Sequence, residues 1–250
     1  MLEPGFNQGA GLRGLASQTV PRIIAMASHG DQQGEQPLLW SLCSTLVDIG
    51  YPVAVLDATT VETTDNPGLT HLLDDTYWPG DLSSDALSWS VIPAARGLER
   101  LGHPQAGGGA PLNPLGGLFQ SFGVIVLYAR ADVLTLLLQG SGIEPLLTVS
   151  PAKMSPVTAY QALKEMLLKA KLRPTIAAVE QEHASSASKK TSSVENLRKC
   201  AMTFLGYRLD SQVVRAEQSP DQPSEDMHRL ALRLLENAMP LHNNRLAGAH

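Results

Sequence analysis

Ser28-His29-Gly30-Asp31-Gln32-Gln33-Gly34-Glu35-Gln36-Pro37 is the stretch on which the fold turns. The apolar run Ile23 to Ala27 precedes it and reads as a buried strand; Leu38 to Ile49 follows and reads as a helix. A phosphate-binding loop in this place needs glycines, a Lys for the β/γ-phosphates and a Ser or Thr for magnesium. Here one late glycine is present, Gly34, and the next two residues, where Lys and Thr belong, are Glu35 and Gln36. The frame is kept and its charge is inverted.

The inversion extends outward from the loop. From Ile23 to Ala95 there is no Lys or Arg, while ten Asp or Glu occur, including Asp31, Glu35, Asp57 and Glu62. A polyphosphate would meet a negative field there, with no cation from the segment to offset it. Residues 96 to 250 carry 17 basic and 13 acidic residues, so the formal charge of −5 is unevenly spread. That net charge argues against nucleic acid as a partner. At 250 residues, with 43% hydrophobic and 17% charged residues, the chain suits one large α/β domain. Cys43 and Cys200 both lie in helical patterns without metal-ligand spacing, which predicts buried thiols and no metal site. No secretory signal is visible, and the apolar stretch Val124 to Leu138 is short and holds Arg130 and Asp132, so a cytoplasmic location is expected.

Residues 1–20 are glycine-rich, with a short helix predicted around Ala10 to Leu15. The body, 21–240, is predicted as one domain, followed by a polar tail at 241–250. Strands are expected at Arg22–Ala27, Tyr51–Asp57, Trp89–Pro93, Phe122–Tyr128, Pro145–Val149, Thr175–Val179 and Tyr207–Leu209. Helices are expected from Pro37 to near Gly50, at Leu69–Leu73, Ala131–Leu138, Ser155–Ala170 and Val194–Leu205, and finally at Ser224–Met239. The Gly/Pro-rich segment 102–117 is predicted as a surface loop and Ala184–Ser193 as a linker. Strand and helix alternate throughout, which implies a mostly parallel sheet with helices on both faces.

With these elements in order, His29 to Gly50 resembles, without a gap, the deviant phosphate loop and first helix of the MinD/ParA group of P-loop ATPases, whose GKGGVGKTT falls on His29 to Pro37. Val55-Leu56-Asp57-Ala58-Thr59 resembles that family's strand-end DxD, with Thr59 in place of the second Asp. Val91 to Gly97 resembles the strand and loop after its first switch. Thr148-Val149-Ser150-Pro151 followed by Thr158-Ala159-Tyr160 resembles its TTPE…DAY segment. Within the group, Asn7 to Arg13 resembles the DQAxxLR motif that opens the FlhG (FleN) flagellar number regulators: Gln8, Leu12 and Arg13 match, while Asn7 and Gly9 depart. The resemblance implies a P-loop nucleotidase fold. It also implies an N-terminal segment that stimulates the GTPase of FlhF, a signal-recognition-type partner.

The departures imply a degenerate nucleotide site over Gly30, Asp31, Gly34, Glu35 and Gln36. The signature Lys falls at Gly30, the P-loop Lys at Glu35, the magnesium Thr at Gln36 and the Walker B Asp at Tyr128. Phosphoryl transfer works by positioning and charge neutralisation, and little is left here to supply either. The expectation is a pseudo-ATPase without nucleotide or metal cofactor. Asp57 reads either as a relic catalytic carboxylate or as the cap of a turn. Asp31 with Glu35 reads either as a cation site or as a solvated acidic loop; His29 opposite Asp57 is a further, hydrolytic pairing. The closing helix, with Met227, Leu230, Leu234 and Ala238 on one side, either docks on the sheet or meets a membrane, and weak or no membrane contact is expected. Loss of an ATP sandwich predicts a monomer or a nucleotide-independent homodimer. The alternative function is an active or weakly active ATPase of the same group, using ATP and magnesium in flagellar, cellulose-secretion or division-site placement.

Overall fold

The computed structural model describes residues 20–76, 89–103, 110–180, 187–215 and 224–241. Among the described residues, eight strands form one sheet: β1 (Arg22–Ser28), β2 (Val53–Asp57), β3 (Trp89–Pro93), β4 (Val124–Arg130), β5 (Leu146–Val149), β6 (Thr175–Glu180), β7 (Ser211–Arg215) and β8 (Met239–Pro240). Their order is β3-β2-β4-β1-β5-β6-β7, all parallel, and β8 pairs antiparallel with the start of β1. The described helices are α1 (Gln32–Asp48), α2 (Leu69–Leu73), α3 (Ala95–Gly102), α4 (Asn113–Leu118), α5 (Ala131–Leu138), α6 (Ser155–Ala170), α7 (Ala187–Leu205) and α8 (Glu225–Glu236).

Both sheet faces are covered, which explains why the central strands read as unbroken apolar runs rather than alternating ones. Ile23, Ala25 and Ala27 of β1 face the core under α2 to α7. Ile24 and Met26 face the other way, under α1 and α8. The closing helix docks: Met227, Leu230, Ala231, Leu234 and Leu235 are all buried, and Ser224 caps the helix by accepting from the Met227 amide. Full burial of side chains this size contributes about 1.5–3 kcal/mol each, so the apolar stripe is consumed by the sheet.

Several boundaries differ from expectation. The first helix begins at Gln32, not Pro37, which lies inside it. A helix, α4, sits within the segment expected to be loop, because Leu112, Leu115 and Phe119 supply an apolar face that buries. Ala187 to Ser193, expected as linker, opens α7. The last parallel strand is Ser211–Arg215 rather than Tyr207–Leu209; Leu209 instead buries in the core. The closing helix ends at Glu236, and Met239–Pro240 returns to the sheet. Leu241, expected to start a polar tail, is buried and donates its N–H to the Pro21 carbonyl. The strands expected from Tyr51, Phe122 and Pro145 begin at Val53, Val124 and Leu146.

Candidate functional site: a loop closed by its own carboxylate

Strand register assembles the site. Met26 of β1 lies beside Tyr128 of β4, which lies beside Asp57 of β2, so the carboxyl ends of three central strands meet around the loop 28–36. This is where open α/β sheets place ligands. Gly30 sits at φ +90°, a backbone conformation other residues rarely adopt, and turns the chain from β1 toward α1. Gly34 is buried against the loop after β5; a Cβ there would stand 2.7 Å from Ser150 Cβ and 3.0 Å from Asp31 Oδ2.

Glu35 fills the loop. It is fully buried, and its carboxylate turns back into the space the loop encloses. Oε1 accepts from the His29 amide at 2.9 Å and the Asp31 amide at 3.0 Å. Oε2 accepts from the Ser28 hydroxyl at 3.0 Å and the Tyr128 hydroxyl at 2.5 Å. The loop amides therefore already hold an anion, at the N-terminus of a 17-residue helix where negative charge is favoured. This wrapping also explains the early start of α1, since the Gly34 and Glu35 amides both bond to the Asp31 carbonyl.

The surrounding groups hold the carboxylate in place. Burial, then the hydrogen bond to Glu35, pushes the Tyr128 phenol above its ordinary pKa, so it stays protonated and remains a donor. The His29 ring lies 2.8 Å from the Thr148 carbonyl through Nε2 and 2.8 Å from the Thr158 hydroxyl through Nδ1. A carbonyl only accepts, so Nε2 carries a proton; it also lies 3.4 Å from Glu35 Oε1. Arg130, the register neighbour of Ser28, pairs with Asp132 instead of the loop. Two buried oxygens, Asp31 Oδ2 and Thr148 Oγ1, have no partner among the described residues.

The other expected site residues fall as follows. Asp57 caps a turn: its carboxylate accepts from the Thr59 amide and the hydroxyls of Thr59 and Thr60 at 2.6–2.8 Å. It does not pair with His29, whose ring is held by β5 and α6. Asp31 and Glu35 are not a solvated acidic loop; both are buried. Gln36 is exposed on the first turns of α1. Gln8, Leu12 and Arg13 lie outside the described residues. No group of three or more metal-ligating side chains occurs among the described residues.

Sequence reasoning missed a second internal carboxylate. Glu62, 1% exposed, accepts from the Arg96 and Gly97 amides at 2.8 Å each and from the Thr70 hydroxyl at 3.0 Å. It thereby fastens the first turns of α2 and α3 to the segment after β2. Burial pushes its carboxyl up, but the amides of Arg96, Glu62 itself and Gly97 and the Thr70 hydroxyl outweigh that and lower it. Nothing local flags this residue, since Arg96 and Gly97 lie more than thirty positions away in the chain. Glu35 did carry a signal: Glu35, Leu38, Leu39, Leu42 and Leu46 share a helical spacing, which places the carboxylate on the buried side once α1 is extended to include it.

Beyond the loop, a cavity of about 210 Å³ opens at the carboxyl ends of β5 to β7. Ser150, Val179, Val194 and Val213 line it, with Arg198 tied to Glu195 and Ser211.

The fold is that of the P-loop nucleotidases of the MinD/ParA type. Cobyrinic acid a,c-diamide synthase from Mycobacterium smegmatis, solved with ADP and magnesium, is 14% identical, with a TM-score of 0.58 over 86% of this chain and 94% of that one. The MinD cell division protein of Aquifex aeolicus is likewise 14% identical, with a TM-score of 0.54 over 88% of this chain and 99% of its own. No protein-family model and no curated protein matches the sequence.

Proposed function

We propose that this chain is a non-catalytic regulatory protein built on a nucleotidase fold, similar to the FlhG/FleN flagellar number regulators. The observation that carries the reading is Glu35 seated in the loop. An ATP phosphate could reach the amides of His29 and Asp31 only by evicting a buried, fourfold hydrogen-bonded carboxylate, and no Lys or Arg occurs from Ile23 to Ala95 to offset the charge brought in. The groups that would position magnesium and water are replaced or engaged elsewhere: Gln36 faces solvent, Tyr128 serves Glu35, and Asp57, although kept, serves a turn. The protein then acts by contact. Its N-terminal Gln8, Leu12 and Arg13 engage an FlhF-like GTPase, and the α/β body is the scaffold. The alternative, an active ATPase, requires Glu35 to leave the loop on every cycle.

Titration of the purified chain with labelled ATP and magnesium tests the first half; micromolar binding with turnover would remove it. GTP hydrolysis by an FlhF-like partner, with the chain intact or lacking residues 1–20, tests the second. Equal rates would defeat the activator role.

A further inference from the structure

We infer that the loop is a working oxyanion cradle whose resident ligand is the chain's own Glu35 carboxylate, and that shortening this side chain turns the protein into a binder of a small tetrahedral oxyanion such as inorganic phosphate. The inference deepens the functional reading above, because it explains the lost nucleotide site as an occupied one rather than a dismantled one.

The donor set supports it. Two backbone N–H groups, from His29 and Asp31, can only donate, and they converge on one oxygen. Two hydroxyls, from Ser28 and Tyr128, converge on the other. The His29 Nε2, whose N–H donates to the Thr148 carbonyl, stands 3.4 Å from the first oxygen, close by but not a further donor to it. Ser28 closes β1 with His29 next to it, Tyr128 lies near the end of β4 beside it in register, and the His29 ring is held between β5 and α6, none of which depends on the Glu35 carboxylate. The Asp31 amide is anchored by the first turn of α1, whose Gly34 and Glu35 amides bond to the Asp31 carbonyl. With the carboxylate gone, the donors stay aimed at one point, at the amino end of a long helix. Buried donors without an acceptor are costly, which drives the space to take up another anion.

Charge sets the class of ligand. Buried Asp31 and the Asp57 carboxylate border the loop, and the segment supplies no Lys or Arg. One compact oxyanion replaces one carboxylate at little electrostatic cost. A magnesium triphosphate adds charge that nothing here neutralises.

The experiment uses the full chain and inorganic phosphate at constant ionic strength, with chloride as the exchanged ion. The variants are Glu35→Ala and Glu35→Gln, the latter filling the same space while turning an amide N–H toward the donors. The thermal midpoint of Glu35→Ala should start below that of the wild type and rise saturably with phosphate. Calorimetry should give a Kd at least about tenfold below any phosphate binding by the wild type or Glu35→Gln. A flat response in Glu35→Ala, or an equal rise in all three proteins, overturns the inference. If Glu35→Ala does not fold in chloride, refolding in phosphate reads the same property: recovery of native fluorescence in phosphate alone supports it, and failure in both salts overturns it. A phosphate-blind Glu35→Ala beside an ATP-blind wild type removes this inference and spares the regulatory reading. ATP binding by the wild type removes that reading instead.

Discussion

Replacing Glu62 by Gln should destabilise the chain at neutral pH and leave it little changed in acid. In the native protein each oxygen of the Glu62 carboxylate meets a backbone N–H at the start of α3, and one also takes the Thr70 hydroxyl on α2. Gln keeps one acceptor oxygen and turns an NH2 toward the other amide, so at least one charge-assisted bond is lost and a donor faces a donor. Hydrogen bonds to charged groups are worth about 1.5–3 kcal/mol, and a buried donor left unpaired costs a similar amount, so the expected loss is roughly 2–4 kcal/mol. In a chain of this length that corresponds to a fall of about 4–16 °C in Tm. The pH dependence follows from the lowered carboxyl of the folded state. A depressed folded value means the stabilisation is present above the unfolded value, about 4.3, and is lost as pH falls through the lower folded one. Urea denaturation of wild type and Glu62→Gln at pH 7 and again near pH 3 reads both effects. Equal stability at pH 7 within about 0.5 kcal/mol, or a gap that persists undiminished in acid, would refute the assignment of Glu62 as the charged fastener of the two helices.

Four further outcomes follow from particular contacts. Tyr128→Phe removes the 2.5 Å bond to Glu35 without changing the packing, and should cost about 1.5–3 kcal/mol in chemical denaturation. Gly34→Ala places a Cβ 2.7 Å from Ser150 Cβ, forcing α1 away from the loop after β5 at about 1–3 kcal/mol, readable as a lowered thermal midpoint. Leu230→Ala should lose about 2–5 kcal/mol whereas Leu232→Ala, on the exposed side of α8, should change stability by less than about 0.5 kcal/mol; equal effects would contradict docking of the helix. Burial pushes the Cys43 thiol up to about 12, so a thiol reagent at pH 8 should label half-buried Cys200 well before Cys43 until denaturant is added.

The site was legible in outline for a physical reason. Gly30 and Gly34 are forced by backbone geometry and close approach, and the lack of Lys or Arg from Ile23 to Ala95 is a property of the chain that no folding can reverse. The short helix Leu69–Leu73 and the amphipathic helix Ser155–Ala170 were readable from spacing alone. The elements misread were those whose apolar pattern is short or diluted by Gly, Pro, Ser and Lys. Helix α4 holds together because Leu115 and Phe119 find the core, and α7 extends back into a stretch whose local composition suggests a linker.

The sequence by itself determined the alternation of strands and helices, the covered faces of the sheet and the lack of Lys or Arg from Ile23 to Ala95, because periodicity and charge are local properties of a chain. Only the tertiary structure decided where the carboxylates point. Glu35 became an internal anion because β4 delivers Tyr128, and β1 and its loop deliver Ser28, His29 and Asp31, to one small volume. Glu62 became a fastener because α3 starts beside it in space. A buried carboxylate is tolerable only where donors converge, and that convergence depends on strand register and helix placement, which exist only in the folded chain.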